Sequence, residues 1–516
     1  MAWITVNNDL VWALDRFLAL NLIRHTPLNL CLKYCSHINS EGNYKLTIWN
    51  TPYSLLLAEV NAAKDEGVTI PDLLAREIRQ LDPIADAWNE SAIWALYDQL
   101  DNLERPVSSI NSHPNDLTSI RLLRPQGPRD LKWSPTEGEL LDGFHGAWLG
   151  RTTGCALGLP VEQVGVLATD RTYLGRDKIR ERLNSSQDWP LSDFFVASTE
   201  TASTWGSNSL RPNISYMEPD DDIHYSIAGL CIMETYGPDF SWTDVADWWI
   251  SHFPLSALCT AEAQAILNYA SRTARWGSDG GARSSATAEF CRRYRNPYRE
   301  WIGAQIRSDP WAWVAAGNPE LAAEFAFRDA SWTHTANGIY GSMFFAALQS
   351  AAFVVKDPHE LINIALSEIP EECDLALAIR ETVAFCATAN DWESAMEKLE
   401  QYVYGLSLHL MNPVHTINNA CVCIVALLFG SGEPISAMSI AVMAGLDTDC
   451  NGATVGAISG ALAGGSKFNN SLSAKLNNRI VTRIPGMQDL LISDLAQRTV
   501  KQWNVVRRFP SAKNSY

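Results

Sequence analysis

The sequence predicts an all-α protein, a compact bundle of many helices preceded by a helical N-terminal extension. Apolar residues recur at i, i+3 and i+4 in segments such as AEAQAILNYASRTARW and ISAMSIAVMAGL, the pattern of amphipathic helices. Alternating patterns typical of strands are scarce. The chain is 47% hydrophobic and contains 19 tryptophans, so a large buried core is expected.

The distribution of proline divides the chain. Residues 106–135 contain five prolines and few apolar clusters, which indicates a linker or an extended strap. Residues 1–105 contain helical patterns and form a predicted accessory region. Residues 136–495 form the predicted main helical domain, and residues 496–516 a tail.

Composition and charge argue against several classes of function. The 40 Lys and Arg residues form no run and are outnumbered by 58 Asp and Glu, so binding of duplex nucleic acid is not expected. An anionic ligand would instead need helix N-termini, a few arginines or a metal. The eleven cysteines form no CxxC pair and are expected to be reduced thiols. The lack of a basic leader and of a long uncharged apolar stretch predicts a cytoplasmic protein with no membrane contact.

Three consecutive aspartates, Asp220, Asp221 and Asp222, precede an amphipathic apolar run in MEPDDDIHYSIAGLCIMETYG. An acidic helix N-cap would account for one of them, because its side chain accepts backbone N–H groups and interacts favourably with the helix dipole. Three adjacent carboxylates also repel each other, and a cation would relieve that repulsion. The segment is therefore a candidate metal site, with an acidic N-cap as the alternative.

A second pair of carboxylates, Asp447 and Asp449, begins a segment of small residues, AGLDTDCNGATVGAISGALAGG. Here too, an N-cap followed by a first-turn acid is the alternative interpretation. Hard divalent cations such as Mg²⁺ prefer carboxylate and hydroxyl oxygens. Two separate acidic helix N-termini in one chain are what a carboxylate site for two metal ions would require.

Four glycines, Gly452, Gly456, Gly460 and Gly464, follow these aspartates at intervals of four residues. A glycine inside a helix costs about 1 kcal/mol relative to alanine, so four on one face need a packing reason. A bare face lets another helix approach closely. We therefore predict a packing role for the glycines, which would hold the aspartates rigidly at the end of the helix.

Another helix of small residues, LDGFHGAWLGRTTGCALGLPVE, ends in a proline-containing turn followed by Glu162. A carboxylate in that position can project from the end of the helix. Local sequence alone also permits an ordinary exposed glutamate.

Taken in order, the motifs GAWLGRTTGCALGLPVE, EPDDD and GLDTDCNGATVG resemble those of the ADP-ribosylglycohydrolase family. That family includes dinitrogenase-reductase-activating glycohydrolases and hydrolases of ADP-ribosylarginine and ADP-ribosylserine. The blocks NPYREWIGAQIRSDPWAWVAAG, HTANGIYGSMF and VHTINNA are similar to a long bacterial branch of the family. The resemblance covers about residues 138–495. It implies a compact all-α bundle around a centre of two Mg²⁺ ions, in which Mn²⁺ can take the place of Mg²⁺.

The resemblance also implies roles for individual residues. Glu162 takes the catalytic position beside the metal centre and the scissile bond. The implied metal ligands are Asp220, Asp221, Asp222, Asp447, Asp449 and Cys450. The implied substrate-binding residues are Gly303, Arg307, His334, His415 and Asn418. For His415 and Asn418, polar groups satisfied within the protein are the alternative.

Three positions depart from the common pattern of the family. Asp220 replaces a threonine, Cys450 replaces a hydroxyl ligand, and Cys155 stands where many members have aspartate. A thiol is a poor ligand for Mg²⁺, so Cys450 would be an unusual one. The departures indicate a different substrate more than loss of the metal.

The implied reaction is metal-dependent hydrolysis of the glycosidic bond at ribose C1, through an oxocarbenium-like transition state. Glu162 would act as general acid or base. The expected substrate is an ADP-ribosyl or ribosyl compound, foremost ADP-ribose attached to a protein or a small acceptor. Two alternatives remain open: a hydrolase of nucleosides or other ribosyl metabolites, and a catalytically silent ADP-ribose-binding protein on the same fold.

Overall fold

Helices dominate the structure, which confirms the all-α prediction. A computed structural model describes residues 36–38, 44–46, 49, 51–83, 85–86, 88–106, 112–167, 175–197, 206–273, 284–405, 411–430, 433–468 and 471–509. Within these ranges the strands form two short antiparallel pairs, β1 (Ser36–Ile38) with β2 (Tyr44–Leu46) and β3 (Arg479–Val481) with β4 (Asp489–Leu491).

The helices are numbered along the chain. Three belong to the N-terminal region: α1 (Pro52–Asp65), α2 (Asp72–Arg79) and α3 (Glu90–Asp101). The next are α4 (Leu117–Leu123), α5 (Glu137–Gly158), α6 (Glu162–Leu167), α7 (Gly175–Ser185), α8 (Asp221–Tyr236), α9 (Trp242–His252), α10 (Thr260–Thr273) and α11 (Ser285–Arg293). The last are α12 (Ser308–Val314), α13 (Pro319–Ala330), α14 (Ala336–Ala352), α15 (Pro358–Leu366), α16 (Asp374–Thr388), α17 (Trp392–Gly405), α18 (Thr416–Phe429), α19 (Pro434–Met443), α20 (Thr448–Ala463), α21 (Gly465–Phe468) and α22 (Ile492–Val506).

Local sequence signals fix where several helices begin. At the start of α5, Thr136 and Glu139 form a capping box: the Thr136 N–H donates to the Glu139 carboxylate at 2.7 Å, and the Glu139 N–H donates to Thr136 Oγ1 at 3.3 Å. Asn318 caps α13 and Asp357 caps α15 in a similar way, each accepting a backbone N–H from the first turn. Such caps set the positions of the side chains on the first turns.

The glycines of α20 lie against glycines of α5, and the two helices run antiparallel. The facing pairs are Gly460 with Gly146, Gly456 with Gly150, and Gly452 with Gly154, and a Cβ at any of these positions would overlap a carbonyl group of the other helix. The packing role predicted for Gly452, Gly456 and Gly460 is therefore confirmed. Gly464 instead ends α20 with a φ of 78°, a conformation that favours glycine.

The described residues form two hydrophobic cores. The larger core joins helices from α5 to α22 and contains Trp148, Trp313 and Phe344, all fully buried. The smaller core belongs to α1–α3 and packs against Tyr298 and Trp301 of the main body. The N-terminal helices thus have their own apolar centre and share one wall of it with the rest of the protein.

Residues 112–135, within the predicted linker, pack on the main body. The Leu131 N–H donates to the Gly317 carbonyl at 2.9 Å, and Trp133 stacks on Phe353 with ring centroids 5.9 Å apart. The segment also contains α4. Residues 107–111 lie outside the described ranges.

The C-terminal helix crosses the predicted domain boundary at residue 495. Helix α22 runs from Ile492 to Val506, and its Trp503 is buried. Trp148 of α5 donates to Thr499 Oγ1 at 3.0 Å. Residues on both sides of the boundary therefore pack as one helix, and residues 510–516 of the predicted tail lie outside the described ranges.

The composition predicts that no helix spans a membrane and that the cysteines are reduced. Among the described residues, no helix is both long enough and apolar enough to cross a membrane. The nine described cysteines are all free thiols. Cys31 and Cys35 lie outside the described ranges.

The contact between α5 and α20 leads to a prediction about stability. Gly150→Ala places a methyl group against the Gly456 carbonyl and is expected to lower the free energy of unfolding by about 1–3 kcal/mol, because the helices must separate. Gly138→Ala, in the first turn of the same helix, meets open space and should change it by less than about 1 kcal/mol. Urea denaturation of both variants measures the difference; equal effects would contradict the close contact.

Candidate metal centre

The two predicted acidic segments meet in space. Asp220 is the N-cap of α8, with Asp221 and Asp222 in the first turn, and Asp447 precedes α20, with Asp449 in its first turn. Their side chains form overlapping groups whose possible ligand atoms lie within 4.8 Å of one another. These groups are Cys155, Asp220 and Asp449; Asp222, Asp449 and Cys450; Glu162, Asp447 and Asp449; and Asp220, Asp221 and Asp222.

Glu162 reaches this centre because of the turn that follows α5. The helix ends at Gly158, and the 3-10 turn Leu159–Val161 leads directly to Glu162. Thr448 Oγ1 donates to the Gly158 carbonyl at 2.9 Å, which joins the end of α5 to the start of α20. The half-buried Glu162 thereby lies beside Asp447 and Asp449.

Three carboxylate oxygens of the centre are buried and have no hydrogen-bond partner within the described residues: Asp220 Oδ2, Asp447 Oδ1 and Asp449 Oδ1. Their residues are 3%, 5% and 3% exposed. A buried acceptor without a partner is costly, and a buried unpaired charge more so. Unpartnered carboxylate oxygens on neighbouring side chains from two helices fit a hard divalent cation.

The electrostatics of the centre reflect the same crowding. Burial, together with neighbouring carboxylates, raises the pKa of Asp220 and of Asp449 well above the usual range. Burial and the charge of Asp447 raise the pKa of Asp221 to about 6. Burial is the largest cause of each shift, and the mutual repulsion of neighbouring carboxylates adds to it.

For Asp220, the N-cap and metal-ligand interpretations are compatible. Its Oδ1 accepts the Asp222 N–H at 2.9 Å and caps α8, whereas Oδ2 is the oxygen without a partner. At the start of α20, by contrast, the Asp447 side chain caps no backbone N–H. One acidic side chain therefore serves the helix with one oxygen and leaves the other for a ligand.

Asp222 differs from its neighbours because both of its oxygens are paired inside the protein. Arg151 Nη2 donates to Oδ1 at 2.7 Å, and the Cys450 thiol donates to Oδ2 at 3.0 Å. Arg151 is fully buried and also pairs with Asp309 at 2.9 Å. Burial and the repulsion from Asp221 and Asp447 outweigh Arg151 and raise the pKa of Asp222 to about 8.

The thiols at the centre are placed as hydrogen-bond donors. Cys155 Sγ lies 3.5 Å from Asp220 Oδ1, and Cys450 Sγ contacts Asp222. Burial raises the pKa of both thiols well above the usual range, so they hold their protons. Cys450, predicted as a metal ligand, belongs to one of the acidic groups and donates to the Asp222 carboxylate.

The segment VHTINNA supports the start of α20. Asn419 Oδ1 accepts the Asp447 N–H at 3.1 Å and the Asn451 side chain at 2.8 Å. His415 Nδ1 accepts the Ile417 N–H, and Asn418 Nδ2 donates to the Asn412 carbonyl. These polar groups of His415 and Asn418, both predicted substrate contacts, are thus engaged in holding the start of α18.

Arg307, a predicted substrate contact, lies in a buried cluster of hydrogen-bond partners. It is 1% exposed, Nε donates to Asp329 Oδ2 at 2.7 Å, Nη1 to the Glu262 carboxylate, and Nη2 to Thr333 Oγ1 at 2.9 Å. To contact a diphosphate, the guanidinium would have to give up one of these partners. The geometry therefore makes Arg307 an internal partner of two carboxylates.

Gly303 and His334 belong to the same cluster around Glu262. A Cβ on Gly303 would overlap the Glu262 carboxylate, so this close approach needs glycine. His334 is fully buried, its Nε2 lies 3.8 Å from Glu262 Oε1, and burial lowers the pKa of the ring well below its usual value. Both predicted substrate residues thus contact or approach Glu262, which the sequence analysis did not single out.

Comparison with known proteins identifies this architecture. The family model described as ADP-ribosylglycohydrolase matches residues 136–505, more than half of the chain. The chain belongs to the ADP-ribosylglycohydrolase family. A solved structure described as an ADP-ribosylglycohydrolase-related protein complex is similar at 18% identity, covering 71% of this chain and 99% of that chain with a TM-score of 0.44. No curated protein matches the sequence.

Membership of the ADP-ribosylglycohydrolase family makes the protein a member of a group of metal-dependent glycohydrolases, and its acidic groups are suited to a metal. The three positions at which the sequence departs from the common pattern of the family lie together in the structure. Cys155 contacts Asp220, and Cys450 contacts Asp222, two residues further along the chain. The replacements therefore affect one set of carboxylates.

The buried position of Glu262 leads to a prediction about pH. Burial raises the pKa of Glu262 from 4.5 to about 7, against the attraction of Arg307. The folded protein thus binds this proton more tightly than the unfolded chain. The contribution of Glu262 protonation to the free energy of unfolding is therefore fully present below pH 4.5 and is lost as pH rises toward 7. The loss amounts to at most about 1.4 kcal/mol per pH unit.

The test compares Glu262→Gln with the natural sequence by urea denaturation from pH 4.5 to pH 8. The variant has no proton to lose, so its free energy of unfolding should fall less steeply between pH 5 and pH 7, whatever its absolute stability. Parallel curves across that range would show that Glu262 has an ordinary pKa.

Proposed function

We propose that the protein is a hydrolase that cleaves the glycosidic bond at ribose C1 of an ADP-ribosyl substrate and depends on Mg²⁺ or Mn²⁺. The observation that carries the proposal is the set of three buried, unpartnered carboxylate oxygens on Asp220, Asp447 and Asp449. They come from two helix N-termini, and the side chains of Asp447 and Asp449 lie beside Glu162. Family membership supplies the reaction class.

The residues best placed to hold the cations are Asp220, Asp221, Asp447 and Asp449, with Glu162 at their edge. Asp222 is less available as a ligand, because Arg151 donates to one of its oxygens and Cys450 to the other. When bound, the cations supply Lewis-acid polarisation of sugar and water oxygens. The fixed helix ends supply the positions of the ligands, which limits the reorganisation that binding requires.

Glu162 is the proposed proton-transferring group. It is half-buried and lies within 4.8 Å of the carboxylate oxygens of Asp447 and Asp449. A carboxyl group next to the scissile bond can accept a proton from the attacking water and donate one to the leaving group, and the sugar passes through an oxocarbenium-like state. The turn Leu159–Val161, which links α5 to α6, places Glu162 at the centre from a different segment than the aspartates.

The leading substrate is ADP-ribose attached to a protein or to a small acceptor. Arg307 is committed to Asp329 and Glu262, so a diphosphate would need backbone N–H groups or another donor. A nucleoside or other ribosyl metabolite would need no diphosphate contact. A panel containing ADP-ribosylated arginine, ADP-ribosylated serine and nucleosides distinguishes these substrates by the product released.

Two substitutions separate cation binding from proton transfer. Asp449→Asn removes a charge from three of the four acidic groups and should abolish both Mn²⁺ binding and hydrolysis. Glu162→Gln should lower turnover about 10²- to 10⁴-fold while retaining most of the Mn²⁺ affinity, because it removes the proton-transferring group. Isothermal titration with Mn²⁺ and the substrate panel measure the two effects.

Asp489→Asn serves as the matched control, since Asp489 is an exposed aspartate on β4, paired with Arg479. It should change neither quantity. Hydrolysis that survives both EDTA and Asp449→Asn would overturn the metal-dependent proposal. Mn²⁺ binding without hydrolysis of any substrate in the panel would favour the silent binding protein.

A further inference from the structure

We propose that the N-terminal helical unit, α1–α3, holds the metal-binding end of α20 in position, and that Glu59, Arg299 and Asn419 are the positioning residues through which it acts. The proposal rests on the proposed metal site at Asp447 and Asp449. It gives a role to a region that precedes the family match at residues 136–505. The proposed path of contacts begins at the buried ion pair between Glu59 and Arg299 and ends at the backbone N–H of Asp447.

The first step is the ion pair that joins α1 to the main body. Arg299 donates to both oxygens of Glu59, at 2.8 and 3.0 Å, and to Glu66 Oε1 at 2.8 Å. Glu59 is fully buried and Arg299 is 2% exposed. Tyr97 of α3 donates to Glu59 at 2.7 Å. A bidentate pair of this kind has a defined geometry, so α1 and α3 fix the orientation of Arg299.

Apolar contacts reinforce the same junction. Tyr298 and Trp301, on either side of Arg299, are buried in the core of the N-terminal unit together with Leu56 and Ile93. The Tyr298 hydroxyl donates to the Trp49 carbonyl. The side chains of the segment around Arg299 therefore pack against the N-terminal unit.

The second step passes from this segment to the start of α18. The Ile302 N–H donates to the Val414 carbonyl at 2.9 Å, and the Thr416 N–H donates to the Glu300 carbonyl at 3.1 Å. Trp301 and His415 pair as an antiparallel bridge. Residues 300–302 and 414–416 are thus paired along their backbones, with hydrogen bonds that run in both directions.

The third step reaches the metal-binding end of α20. Asn419 donates to the Pro413 and His415 carbonyls, at 2.7 and 2.9 Å, so its amide is oriented by the paired segment. Its Oδ1 accepts the Asp447 N–H at 3.1 Å. Asn419 therefore transmits the position of the paired segment to the backbone of a proposed metal ligand.

Glu59→Gln in the full chain tests the path, because it removes the charge that orients Arg299 and is remote in sequence from every proposed ligand. We expect Mn²⁺ affinity, measured by isothermal titration, to fall about tenfold, within the usual range for coupling between two sites. Amide hydrogen exchange should rise at residues 414–419 and 446–451. Arg299→Lys, which keeps the charge but loses the bidentate geometry, should move both readouts in the same direction.

Asn419→Ala should lower the affinity about 10- to 100-fold, as is usual for residues that orient ligands. Because both substitutions act on one path, the double variant Glu59→Gln/Asn419→Ala should lose little more affinity than Asn419→Ala alone. Glu368→Gln is the matched control: Glu368 is also a fully buried glutamate paired with two arginines, Arg124 and Arg129, but it lies on a different junction. It should lower stability without changing Mn²⁺ affinity or exchange at 446–451.

Unchanged affinity and unchanged exchange in Glu59→Gln would overturn the proposal, as would an equal loss of affinity in Glu368→Gln. Additive effects in the double variant would show that the two residues act separately, and would also overturn it. If the natural sequence binds no Mn²⁺, the proposed function fails. Hydrogen exchange at 446–451 still decides in that case whether the N-terminal unit positions α20.

Discussion

The close antiparallel contact between α5 and α20 is the constraint on which the rest of the structure depends. Its glycines bring carbonyl groups of one helix against the backbone of the other, and this fixes the register along the helices. With Gly150 opposite Gly456, the end of α5 falls opposite Thr448. The register therefore places Glu162, which directly follows the turn Leu159–Val161, beside Asp449.

Charge is the second constraint, because the register brings six carboxylates together in a buried place. Groups within the protein offset part of this repulsion between carboxylates. Arg151 pairs with Asp222, and the thiols of Cys155 and Cys450 donate to neighbouring carboxylates. Three oxygens remain without a partner among the described residues, and they mark the place where an added cation would stabilise the centre most.

Much of the centre could be predicted from sequence because its signals are local. Consecutive aspartates before an apolar run, and glycines at intervals of four, each have a physical reason within a single helix. The motif around Arg307 predicts a substrate contact, and it gives no sign that the guanidinium pairs with Asp329 and Glu262. Glu262 is 45 residues away along the chain, and no local pattern reveals the pairing.

The sequence by itself determined the helical class, the acidic helix ends and the bare glycine face, since each follows from residues a few positions apart. Only the tertiary structure decided which oxygens stay unpaired, that Arg151 neutralises Asp222, and that the N-terminal helices reach Asp447 through Arg299 and Asn419. These features depend on contacts between segments far apart in the chain. The free energy of burying a charge depends on every group that surrounds it, and the order of residues alone does not specify those groups.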